Sequence, residues 1–89
     1  MQVICVHSWN PNAPGMTEEE FLPAREIFMK DLMANKVPVS SMQSAFNWDQ
    51  GKAWCVWETD TVERLEGIMA DFQNVRTDII PVIMVPQIM

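Results

Sequence analysis

The stretch Asp49-Gln50-Gly51-Lys52-Ala53-Trp54-Cys55-Val56-Trp57-Glu58 decides the architecture of this chain. Its first four residues have the chemistry of a tight turn, and the six that follow are the most strand-like in the sequence. Just upstream, Val37 to Trp48 is a second strand-like run of small polar and apolar residues with Pro38 at its beginning, so the whole reads as a hairpin. A helix is expected on either side. On the N-terminal side Thr17-Glu18-Glu19-Glu20 forms a capping box, with Thr17 as N-cap, Glu20 three residues on, and three carboxylates at the positive end of the helix dipole. Phe21, Ala24, Ile27, Phe28, Leu32 and, at the edge of the stripe, Met33 then recur at helical spacing up to Asn35-Lys36. Pro23 removes one helical hydrogen bond and predicts a kinked or split start. On the C-terminal side Asp60 followed by Glu63 reads as a second capping box, and Val62, Leu65, Ile68, Met69, Phe72 and Val75 make the apolar stripe of a second helix.

The outermost segments are strands. Val3 to Trp9 is apolar and β-branched, and Asn10-Pro11-Asn12-Ala13-Pro14-Gly15 stops it. Thr77 to Val85 is rich in Ile and Val but carries Pro81, which a strand tolerates at a sheet edge or bulge. The order βαββαβ predicts an α+β, ferredoxin-like fold: a four-stranded antiparallel sheet of order 4-1-3-2 with both helices on one face. In that order the second and fourth strands are the edges, and Pro38 and Pro81 fall in those two.

With 89 residues, 48% of them apolar, residues 1–89 are expected to form one domain with a thin core, for which oligomerisation is a natural supplement. The apolar fraction is too high for disorder, and no apolar run approaches the roughly 18 residues of a membrane span. Six Lys and Arg against 12 Asp and Glu leave a net charge of -6, with the cations scattered, so nucleic acid and anionic membranes are unsuitable partners. Met1-Gln2-Val3-Ile4-Cys5-Val6-His7 has neither the basic region nor the cleavage site of a secretory signal, and a cytoplasmic location is expected. Cys5 and Cys55 fall inside strands and are expected to be buried thiols. With one histidine, a metal site would lean on carboxylates or on His7 from two subunits.

Two helices on one face leave the other face of the sheet to a partner, a ligand or water. In the first strand Ile4 and Val6 form a purely apolar set suited to the helix side, which places Val3, Cys5, His7 and Trp9 on the open side. In the third strand Trp54, Val56 and Glu58 are expected on the open side, with Ala53, Cys55 and Trp57 towards the helices. On this reading Cys5 and Cys55 lie on opposite faces. A face carrying Val3, Trp9, Trp54, Val56 and Met84 is too apolar for water, and a second copy of the chain is its simplest cover. His7 and Glu58 would then sit close together near the enclosed space, where an imidazole beside a carboxylate can move a proton or supply metal ligands.

Lys52-Ala53-Trp54-Cys55-Val56-Trp57-Glu58-Thr59-Asp60, followed by an amphipathic helix and Ile79-Ile80-Pro81-Val82, resembles the third strand, second helix and last strand of small bacterial and archaeal proteins of the dimeric α/β-barrel superfamily. The resemblance is close over the C-terminal half and extends to the first half only in element order. It implies a ferredoxin-like subunit, a face-to-face homodimer, and a cavity between sheet and helices or between sheets. Some families of this kind are described as nickel-binding, and the superfamily includes cofactor-free monooxygenases, isomerases and binding proteins, so no reaction, cofactor or metal is selected.

Three functions follow as expectations. The first is a dimer that binds a small apolar or aromatic molecule, or a metal, in a cavity at the open sheet face, with Trp9, Trp54, Val56 and Met84 as contacts. The second is a small cofactor-independent oxygenase or isomerase with His7 and Glu58 as the catalytic pair. The third is a purely structural or regulatory dimerisation domain.

Overall fold

The computed structural model describes residues 1–72 and 74–85. Six elements follow in the order β1 (Gln2–Trp9), α1 (Glu18–Ala34), β2 (Val39–Asn47), β3 (Lys52–Thr59), α2 (Val62–Met69) and β4 (Val75–Val82). All strand pairs are antiparallel and the sheet order is β2-β3-β1-β4, the ferredoxin-like arrangement expected from the element order. Pro81 lies in the edge strand β4, and Pro38 stands just before β2, the other edge, so neither removes a hydrogen bond from a central strand.

The α1 cap forms as its sequence dictates. Glu20 N–H donates to Thr17 Oγ1 at 3.2 Å, and Thr17 Oγ1 donates in turn to Glu20 Oε1 at 2.8 Å. The second Glu20 oxygen accepts from Gly15 N–H, which ties the preceding loop to the helix. Pro23 does not split the helix, which is one element from Glu18 to Ala34. The donor it lacks would have reached Glu19, whose exposed position leaves the carbonyl to water. At α2 the N-cap is Thr61 rather than Asp60: Thr61 Oγ1 accepts from Arg64 N–H at 3.2 Å, and Asp60 instead accepts two bonds from the Arg64 guanidinium. The predicted α2 stripe ends early, since the helix stops at Met69 and Val75 already belongs to β4.

Register corrects the predicted parity of β1. Cα partners across β1 and β3 are Val3–Trp57, Cys5–Cys55 and His7–Ala53, and directly opposed residues of an antiparallel pair share a face. Because Ala53, Cys55 and Trp57 face the helices as expected, Val3, Cys5, His7 and Trp9 face them too, and Ile4 and Val6 take the open side. The two cysteines are therefore cross-strand neighbours on one face, both free and buried, and not on opposite faces. Packing the indole of Trp9 and the fully buried Val3 and Cys5 under the helices outweighs keeping the polar imidazole of His7 out of the interior.

β2 carries a bulge at Met42, where Ser41 pairs with Trp57 and Gln43 with Val56. The extra residue shifts the alternation, so Ser41 on one side of it and Ser44 and Phe46 on the other all share the helix face. The core beneath the helices falls into two clusters. One gathers Val3, Cys5, Leu32, Cys55, Trp57, Leu65 and Met69, and the other Trp9, Met16 and Ala53. No helix among the described residues is long and apolar enough to cross a membrane.

Candidate functional site

Between the two core clusters lies a cavity of about 410 Å³, under α1 and beside the end of α2. Its floor is the helix face of the sheet, with His7, Trp9, Ala53, Cys55, Trp57 and Thr77. Its roof is α1, through Phe21, Ala24, Arg25 and Phe28. The exposed lining residues Ala24, Asp71 and Asn74 mark its mouth.

The space exists because α1 makes little close backbone approach to the sheet. Large rings span the gap. Trp9 stacks on Phe21 with centroids 6.4 Å apart, Phe21 meets Trp48 edge-on at 5.7 Å, and Phe46 stacks on Trp48 at 4.9 Å. At the other end Phe28 meets Phe72 edge-on at 5.1 Å. These contacts prop the helix at two places and leave the interval unfilled.

Three polar features stand in this apolar wall. Arg25 Nη2 donates to Ser41 Oγ and Ser44 Oγ, each at 3.2 Å, and its guanidinium carbon lies 5.9 Å from the centroid of the Phe46 ring. The bulge at Met42 is what brings both serines to this side. His7 Nδ1 hydrogen-bonds with Thr77 Oγ1 at 2.8 Å, its cross-strand neighbour in β4. Burial, with a smaller contribution from the Arg25 charge, holds the His7 imidazole below its ordinary range, so it is neutral at pH 7. Finally, the indole N–H groups of Trp9 and Trp57 are buried without a hydrogen-bond partner among the described residues.

Burial first, and then Cys55, pushes the Cys5 thiol up to about 12, and burial raises Cys55 against the opposing pull of Ser44, Arg25 and the neighbouring Trp57 indole. Among the described residues no three of His, Cys, Asp and Glu gather as a metal-ligating group.

Of the residues singled out in the sequence, His7 and Trp9 line the cavity. Trp54 and Val56 lie on the opposite, open face of the sheet, and Met84 lies beyond the end of β4. His7 and Glu58 are not brought together. His7 pairs with Ala53 and Glu58 with Gln2, which separates them by about 17 Å of strand and places them on opposite faces. Glu58 instead accepts from the N-terminal ammonium at 3.0 Å. Arg25, Phe46 and Trp57 were not candidates, although one signal pointed to Arg25: it falls four residues after Phe21 and three before Phe28, within the apolar stripe of α1.

Comparison with protein-family models, with curated proteins and with solved structures finds no match to this chain.

Proposed function

We propose that the protein is a small-molecule-binding protein of the dimeric α/β-barrel type, holding an apolar or aromatic molecule in the cavity between sheet and helices. The observation that carries this reading is the cavity itself. Its volume of about 410 Å³ and its aromatic wall with a few fixed polar groups are the ordinary properties of a binding site for a small organic molecule. The aromatic rings of Trp9, Phe21, Phe28, Phe46 and Trp57 in its wall support it, since they offer apolar surface on which such a molecule packs. On this reading the site is on the helix face of the sheet and not on its open face. A metal ligand is the weaker alternative because no donor cluster accompanies His7 among the described residues.

The homodimer belongs to the same reading. On the open face Ile4, Val6 and Val56 are half-buried, while Trp54 is 44% and Ile80 49% exposed. The charges on this face are paired within the chain, Arg76 with Asp78 and Glu58 with the N-terminal ammonium, so a second copy would be held there chiefly by the apolar residues at its centre. The resemblance of residues 52–60 and 79–82 to the dimeric α/β-barrel superfamily points the same way, and the free, buried cysteines suit a reducing cytoplasm.

One observation favours a second reading, in which the protein is a cofactor-independent oxygenase or isomerase. His7 is neutral and lines the cavity, the state and place of a general base. Glu58 has no part in that version. A structural dimerisation domain has no use for the cavity.

Native mass spectrometry of the purified protein tests the proposal. A dimer carrying an organic mass supports it. A monomer that gains no mass from any of a set of small aromatic compounds overturns it. A His7→Ala variant separates the two readings, because the enzyme loses turnover and the binding protein changes only in affinity.

A further inference from the structure

We infer that the molecule bound in this cavity has an apolar or aromatic body and one carboxylate, and that the carboxylate pairs with Arg25. The inference rests on the binding reading above and adds the chemical class of the ligand. Arg25 is half-buried on the inner side of α1 and lines the cavity. The chain holds 12 acidic residues against six basic ones, and the other two arginines have carboxylate partners, Arg64 with Asp60 and Arg76 with Asp78. Arg25 has none among the described residues. Its Nη2 reaches two neutral hydroxyls, and its Nε and Nη1 hydrogens meet no acceptor there. A partly desolvated guanidinium in an acid-rich protein, held against Phe46 and left without an anion, is poised for one brought by a ligand.

The surroundings fit a single carboxylate. His7 is neutral and engaged with Thr77, and Cys55 remains a thiol, so neither competes for Arg25 as an anion. The acid on the cavity wall is Asp71, which is exposed at the mouth and screened by solvent. A dianionic phosphate would ask for more cations than this wall provides. The bulge at Met42 gives the arrangement its stiffness, because it places Ser41 and Ser44 together and fixes the guanidinium from the sheet side.

A purely structural Arg25, serving to tie α1 to β2, makes a different prediction from a carboxylate-binding one. Isothermal titration calorimetry near neutral pH with matched acid and amide pairs decides between them: benzoate with benzamide, 2-naphthoate with 2-naphthamide, octanoate with octanamide. The expected result is that the best-fitting acid binds wild-type protein about 10-fold or more tightly than its amide, that Arg25→Gln abolishes the preference while keeping the amide affinity, and that Arg25→Lys keeps part of it. Equal binding of acid and amide by wild-type protein overturns the inference and leaves the cavity reading standing. Failure of every acid and every amide to bind overturns both. The wild-type comparison alone decides the matter should Arg25→Gln fail to fold.

Discussion

Substituting Gly51 by alanine should disrupt the protein more than any other single-methyl addition at a glycine. Gly51 closes the β2–β3 hairpin at φ +65, and its carbonyl accepts from Trp9 N–H at 2.9 Å. A Cβ built there would lie 2.1 Å from the Trp9 carbonyl oxygen and 3.1 Å from Pro11 Cδ. The first contact is with backbone and cannot be relieved by a side-chain rotation. Left-handed backbone costs alanine about 1–2 kcal/mol, and pushing the two backbones apart forfeits a hydrogen bond and strains the packing around Trp9, for a total of about 3–5 kcal/mol. Two other glycines act as controls. Gly15 also has a positive φ, of 81, but a Cβ there meets nothing within 4 Å, so Gly15→Ala should cost only the backbone strain of about 1–2 kcal/mol. Gly67 lies within α2 with open space around it, and Gly67→Ala should stabilise the protein by about 0.5–1 kcal/mol. Urea unfolding of the three variants measures the series. If Gly51→Ala unfolds no earlier than Gly15→Ala, the close approach of the hairpin to Trp9 does not fix that wall of the cavity and the reasoning fails.

Three further outcomes are expected. The His7 imidazole is held below its ordinary range in the folded protein, so the unfolded chain binds the proton more readily; stability should be level above the unfolded value of 6.5 and fall as the pH drops below it. In thermal melts a His7→Gln variant should lose that dependence, whereas the loss tied to Asp60, whose carboxyl Arg64 holds low, comes only below 3.8. Trp54→Glu places a charge in the centre of the open face, and sedimentation should show a dimer converted to a folded monomer; an unchanged dimer would move the interface elsewhere. Cys5 and Cys55 should resist iodoacetamide in the folded state at mildly alkaline pH and react at once in denaturant, and rapid labelling of either in the native protein would contradict their burial and raised ionisation.

Element order was legible because the sequence supplies it locally. The Thr17 cap, the turn at Asp49 to Gly51, and the prolines in or just before the two edge strands are each read from neighbouring residues. Parity in β1 was not, because both of its faces carry apolar residues and the choice between them is made by pairing. Once β3 is fixed by Ala53, Cys55 and Trp57, the register Cys5–Cys55 fixes β1, and that register is a property of two strands 50 positions apart. The same error grouped residues that the fold separates: His7 and Trp9 line the cavity, Trp54, Val56 and Glu58 lie on the other face, and Met84 lies beyond β4. The α1 stripe shows a related limit. Periodicity puts Ile27 in the stripe and Met33 at its edge, yet they are 63% and 77% exposed, while Arg25 turns inward between Phe21 and Phe28. An arginine can do so only where something accepts its hydrogen bonds, and the Ser41 and Ser44 pair depends on a bulge that no local pattern announces.

The most direct test of the central claim is the set of indole N–H resonances in a ¹H–¹⁵N spectrum recorded while a small aromatic acid such as 2-naphthoate is added. The chain has four tryptophans: Trp9 and Trp57 line the cavity, Trp48 packs behind it against Phe21 and Phe46, and Trp54 lies on the open face. Binding between sheet and helices predicts large shifts for Trp9 and Trp57 with Trp54 unmoved. Shifts confined to Trp54, or none at saturating ligand, would contradict it.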